Sequence, residues 1–238
     1  MGIVDYAMRV HDFMRSNRPL DEAGRKELHE LATHEKEGPN CQDSASFCLR
    51  SACTYAQPDK AAILIDEYGA DIQQYHKLGS DLHPGHVILN LLDETLSSYR
   101  IRPDVDRSPA GQTRLAEMVE LLLQKGVSAS PNSDPFENPV LDASRLAHPD
   151  RASDENSPEF DWITSIGDDG DELPQPFIEP YDLIRKYQPE AVTAYEGAVK
   201  AARPEQETTS SKLSKAASGE KPVAPKTPPS KPSGGGLF

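Results

Sequence analysis

Cysteine is scarce in this chain: Cys41, Cys48 and Cys53 are the only three in 238 residues. An odd count at spacings of seven and five residues offers neither a disulfide framework nor the close cysteine pairs of a zinc site. Buried core thiols in a reducing compartment are the expectation. Long apolar runs are missing too, and stretches such as Ala61 to Ile65 are far too short to span a bilayer. Met1 to Val10 is interrupted by Asp5 and Arg9, so it lacks the basic start and apolar stretch of a signal peptide. Tyr6 stands where a myristoylation pattern needs Ser or Thr. These absences predict an intracellular protein, cytoplasmic or nuclear, with no membrane partner.

Local signatures of catalysis are absent as well. There is no Gly-x-Ser-x-Gly elbow, no phosphate loop ending in Gly-Lys-Ser/Thr, and no Gly-x-Gly-x-x-Gly. Asp168-Asp169-Gly170-Asp171-Glu172 resembles a calcium loop only superficially. With Gly170 at the turn, Ser165, Gly167 and Pro176 fall where ligands belong. His83-Pro84-Gly85-His86 brings two imidazoles together with no carboxylate or thiol at metal spacing, and reads as loop histidines. Neither a metal nor a cofactor is expected, and the chain is not read as an enzyme. Basic charge is in the minority, with 25 Lys and Arg against 39 Asp and Glu for a net charge of −14. A chain that acidic repels a phosphate backbone, so nucleic acid is not an expected partner.

Proline is plentiful at 21 residues, against only 36% hydrophobic content. That combination points to a folded part joined to a segment that buries little. Residues 203–238 are that segment, with Pro222, Pro225, Pro228, Pro229 and Pro232 crowded among Ser, Lys and Gly. They are read as a disordered tail of polyproline character. Residues 149–202 form an acidic segment. Asp150 to Glu190 holds twelve acids against Arg151, Arg185 and Lys186. A short helix is expected over Pro180 to Tyr187, with proline in its first turn. Phe160, Trp162, Ile163 and Ile166 are expected to dock back, and with the helix near Tyr181 to Tyr187 to form a C-terminal cap.

The N-terminal third is helical. Ile3, Tyr6, Ala7, Val10, Phe13 and Met14 recur at helical spacing, and a second helix opens near Asp21 as N-cap. Together they predict a helical hairpin over residues 1–40 that caps the helices C-terminal to it.

Residues 41–148 repeat themselves. Ala61 to Ile72 (AAILIDEYGADI) and Met118 to Ala129 (MVELLLQKGVSA) are each an apolar helix, a polar pair and then glycine. The glycine suits a left-handed helix end. Asn138-Pro139-Val140-Leu141-Asp142-Ala143 lies twelve residues beyond Gly126, and Phe47 to Ala52 precedes the first copy. Val87 to Leu92 is expected to open a further first helix, separated from its partner by an insertion near residues 97–110.

These stretches resemble the ankyrin-repeat family, whose first helices carry Thr-Pro-Leu-His-x-Ala and whose second helices end in glycine. The resemblance implies an all-α fold, a short helix-hairpin solenoid of two to three degenerate repeats. It also implies a protein–protein interaction module, an adaptor or scaffold whose partner is another protein. By resemblance, the hairpin tips Ile72 to Lys77 and Ala129 to Asp134 meet that partner. Tyr75, His76, Lys77, Asn132 and Asp134 are the candidate contacts. A regulatory subunit that docks a basic partner through residues 150–190 is the alternative, and an enzyme without a local motif the least favoured reading.

Overall fold

A computed structural model of the protein describes residues 3–34, 43–78, 87–131, 138–160 and 175–202. Helices dominate: α1 (Ile3–Arg15), α2 (Glu22–Ala32), α3 (Ser44–Thr54), α4 (Pro58–Asp66), α5 (Leu91–Ile101), α6 (Pro109–Gln124), α7 (Pro139–Ala147), α8 (Pro149–Ala152), α9 (Glu179–Tyr187) and α10 (Pro189–Ala202). One antiparallel ribbon joins β1 (His76–Leu78) to β2 (Val87–Leu89), with His76 opposite Leu89 and Leu78 opposite Val87. The chain divides into two units, Met1–Ala202 and Arg203–Phe238. The second unit, and with it the tail, lies outside the described residues.

Helix starts follow from short polar side chains. Asp21 accepts the amide of Gly24 at 2.8 Å, and Asp43 that of Ser46 at 2.9 Å. Asn90 accepts the amides of Leu92 and Asp93, while the Asp93 carboxylate accepts the Asn90 amide. That reciprocal pair is a capping box. Proline sits in the first turn of α4, α6, α7 and α9, where its missing N–H is no loss. Two helix ends use glycine as the repeat pattern predicts. Gly69 has φ +64° and Gly126 φ +85°, the left-handed region. Beyond Gly126, the Val127 amide reaches back to the Leu122 carbonyl at 3.0 Å, closing the end of α6.

Packing pairs the helices. α3 packs on α4, α5 on α6, and α7 on α9. The first members of the pairs also pack on one another, α3 on α5 and α5 on α7, and so do the second members, α4 on α6 and α6 on α9. The core runs through the middle: Leu49, Leu64, Leu92, Leu96, Leu122 and Val140 are all fully buried. At the N-terminal end, α1 and α2 both pack on α3. Tyr6 ties them, its hydroxyl donating to the Leu31 carbonyl at 3.0 Å with the Ser44 carbonyl at 3.3 Å. Lys60 ties α4 to the end of α1. Its ammonium is buried and donates to the Phe13 and Ser16 carbonyls at 3.0 and 2.9 Å, where the helix leaves acceptors free.

The sequence reading needs four corrections. Residues 87–89 are a strand, and the helix opens only at Leu91, because Asn90 outcompetes the apolar run as a cap. The segment expected as an insertion near 97–110 is the last turn of α5, a seven-residue link of 102–108, and the first turn of α6. Arg107 makes that link tight by donating to the carbonyls of Tyr99, Arg100 and Arg102 at the end of α5. The helix over Glu179–Tyr187 is not a terminal cap. It is the second helix of the third pair, packed on α6 and α7.

The fourth correction is the end of this unit. α10, which the sequence reading did not anticipate, packs on both α7 and α9 and buries Ala191, Val192, Tyr195 and Val199. Glu159, one of the twelve acids between Asp150 and Glu190, is 1% exposed. Its carboxylate accepts the Ser144 hydroxyl at 2.6 Å and the Tyr195 hydroxyl at 2.7 Å, with the Arg151 guanidinium 3.7 Å away. Two hydroxyl donors and a nearby cation offset the desolvation of a buried charge. Of the residues expected to dock there, Phe160 is half-buried, while Trp162, Ile163 and Ile166 lie outside the described residues.

A Cβ at Gly126 would meet nothing within 4 Å, so Gly126→Ala probes the backbone alone. It is expected to lower unfolding free energy by about 1–2 kcal/mol, the cost of a left-handed residue with a side chain, read from the urea midpoint.

Candidate functional site

The chain connecting each pair to the next is clamped by polar side chains from neighbouring helices. After α4, the Asp71 amide donates to the Ser46 hydroxyl at 2.8 Å. Gln74 is buried, and its amide donates to the Ser46 and Asp71 carbonyls at 3.0 and 2.9 Å. After α6, the Asn90 amide donates to the Ser128 carbonyl at 2.6 Å. Gln188 then brackets the same loop, accepting the Ala129 amide at 2.8 Å and donating to the Val127 carbonyl at 2.7 Å. Such satisfied backbone fixes a loop before any partner arrives, which lowers the entropy a contact must overcome.

Tyr75 leaves the first of these clamped loops. It is 53% exposed, flanked by buried Gln74 and by the first residue of β1. His76 and Lys77 are placed by the ribbon register opposite Leu89 and Ile88, next to Tyr75 in the chain. Tyr75 to Lys77 thus run from the end of this loop into the first residues of β1. Asn132 and Asp134 lie outside the described residues, as do Cys41, the His83 and His86 pair, and Asp168 to Glu172. Cys48 and Cys53 are free and buried, and burial pushes both thiols up to about 12, so neither is a nucleophile at neutral pH.

A second feature had no signature in the sequence. Arg50 on α3 pairs with Glu94 on α5 at 3.3 Å, and Arg100 on α5 pairs with Asp142 on α7 at 3.2 Å. Thr54 adds a hydroxyl to Glu94 at 2.9 Å, and Arg145 approaches Asp142 at 3.5 Å. The four charges of the two cross-helix pairs are 14–20% exposed, so they are screened less than surface pairs. Because the partners stand more than forty residues apart in the chain, no local spacing reveals them. His11, between the edges of Phe47 and Tyr55, is held below its ordinary value by burial and by Arg102 and Arg50.

Among the described residues, no group of three or more His, Cys, Asp or Glu side chains is placed to hold a metal ion. Among the same residues, no helix is long and apolar enough to cross a membrane. No family model, curated protein or solved structure matches this chain.

Asp93 shows how charge is managed at this surface. It is 3% exposed, and burial pushes its carboxyl up to about 8. The Asn90 amide opposes that rise, while Asp142 and Glu94 add to it. Unfolded, the group titrates near 3.8, so the anion is penalised only in the fold. Its contribution to stability is intact below about pH 4 and is lost as pH rises towards about 8. Asp93→Asn keeps an acceptor for the Asn90 amide and removes the charge. Its urea midpoint is expected to exceed wild type above pH 8 and to match it near pH 4.

Proposed function

We propose that residues 41–202 form a short ankyrin-like solenoid that binds another protein and has no catalysis of its own. The observation that carries this reading is Tyr75, an exposed aromatic on a loop whose backbone is already clamped. Aromatic side chains concentrate interface energy, and a rigid mount spares the cost of ordering them. The helix order supports the solenoid: pairs stack through first helices on one side and second helices on the other, as repeat folds require. Glycines at equivalent helix ends and the ribbon between the first two pairs support it further.

The proposed contacts are Tyr75, His76 and Lys77, with Asn132 and Asp134 added by the ankyrin resemblance alone. The Arg50–Glu94 and Arg100–Asp142 pairs join neighbouring first helices of the stack. Two free buried thiols suit the reducing interior of a cell, which we propose as the site of action.

The test uses the full chain as bait in extract of its native cells, with proteins identified by mass spectrometry. Tyr75→Ala is expected to weaken capture of the specific partner by roughly tenfold or more, with an unchanged urea midpoint. A chain ending at Ala202 is expected to capture as well as the whole. If Tyr75→Ala captures the same partner undiminished while the shortened chain loses it, the tip is not the binding surface.

A further inference from the structure

His11 on α1 sits where that helix meets α3. Its ring crosses Phe47 at 82° with centroids 5.9 Å apart, and Tyr55 at 76° with centroids 6.0 Å apart. Its Nδ1 is shut off from water and has no hydrogen-bond partner among the described residues. The neutral ring fits such a place, because one of its nitrogens carries no proton and strands no donor. Imidazolium carries a proton on both, so a buried N–H is left without an acceptor.

The charges around the ring oppose a further cation. Arg50 faces it from α3, Glu94 from α5, and Arg102 and Asp104 from the end of α5 and the link after it. Both carboxylates are already engaged. Glu94 holds Arg50 at 3.3 Å and accepts the Thr54 hydroxyl at 2.9 Å. Asp104 holds Arg102 at 3.1 Å and accepts the Tyr55 hydroxyl at 3.3 Å. Arg102 in turn lies over the Tyr55 ring, 5.2 Å from its centroid, and donates to its hydroxyl at 3.0 Å.

We infer that His11 is an acid-sensitive fastening between α1 and α3, which protonation of the ring loosens. The direction follows from linkage. Burial first, then Arg102 and Arg50, hold His11 below its ordinary 6.5, and Glu94 and Asp104 oppose them. Release of α1 returns the ring to water and to that ordinary value. The contribution of His11 to stability is therefore complete above pH 6.5 and is lost as pH falls below it. Packing decides where the loss is felt. α1 brings Tyr6, Val10, Phe13 and Met14 to the core and packs on α3, and terminal elements open before the interior of a fold. Loosening α1 uncovers Phe47, which Tyr6 and His11 flank. This inference does not rest on Tyr75 and stands whether or not that residue meets a partner.

The full chain tests it, as wild type and as His11→Phe, which keeps an aromatic ring at the position and has no titrating group. Urea midpoints are taken from about pH 8 to about pH 5, the range in which histidine titrates. The wild-type midpoint is expected to fall relative to that of the variant only below pH 6.5. Contributions of Asp93 and His148 are common to both chains and drop out of the difference. Native-state hydrogen exchange at the acid end is expected to show α1 losing protection by roughly threefold or more in wild type, with α6 unchanged and no such loss in the variant. If His11→Phe does not fold, titration of the wild-type His11 ring by NMR carries the test, with a midpoint below 6.5 expected. A His11 midpoint at or above 6.5, a urea-midpoint difference that stays constant with pH, or a loss of protection shared equally by α6 would each overturn the inference.

Discussion

No pair of these short helices is able to bury its own apolar faces, and the whole arrangement stems from that constraint. α5 makes it plain. Leu91, Leu92, Thr95, Leu96, Ser98 and Tyr99 are all buried, so the helix is covered on more sides than α6 alone can provide. α3 and α7 supply the rest. Each leucine buried there contributes about 2 kcal/mol, and that contribution exists only while both neighbours are in place. The stack is therefore cooperative by construction, and its ends need special treatment.

The two ends are treated differently. At the N-terminal end, α1 and α2 bring ordinary apolar packing, and two backbone-directed groups fasten it, the Tyr6 hydroxyl of α1 and the Lys60 ammonium of α4. At the C-terminal end the chain uses a buried carboxylate. Between them, charged pairs step from helix to helix, and their role is mainly register. Half-buried ion pairs return little net stability once desolvation is counted, but a mispaired charge is penalised, so they select one alignment. The clamped loops use the same logic with neutral amides, Gln74, Asn90 and Gln188 each spanning backbone groups of two chain segments or of one tight loop. Function is proposed to sit where that order meets solvent, at Tyr75.

Much of this was legible from local chemistry. The apolar spacing in α1, the Asp21 cap, the prolines opening α7 and α9, and the glycines after α4 and α6 each act within a few residues, so the sequence displays them directly. What was hidden acts at a distance. Val87 to Leu89 is as apolar as a helix start, and only the capping strength of Asn90 and the pairing with His76 to Leu78 make it a strand. Nothing local marks Glu159 among the acids around it, and its partners Ser144 and Tyr195 stand fifteen and thirty-six residues away. α10 did carry a signal in Val192, Tyr195 and Val199 at helical spacing, overshadowed by the acidic character of the preceding residues.

The central claim is that α5 is the keystone of one continuous stack. Leu96→Ala removes a fully buried side chain from the middle of α5, a change of about 2–5 kcal/mol in a packed core. Hydrogen exchange of this variant measures how far the damage spreads. The account predicts faster exchange in α3 and α7 alike, since each loses a face that nothing else covers. Acceleration limited to α5 and α6, with α3 and α7 as protected as before, would show that the pairs stand independently and would contradict it.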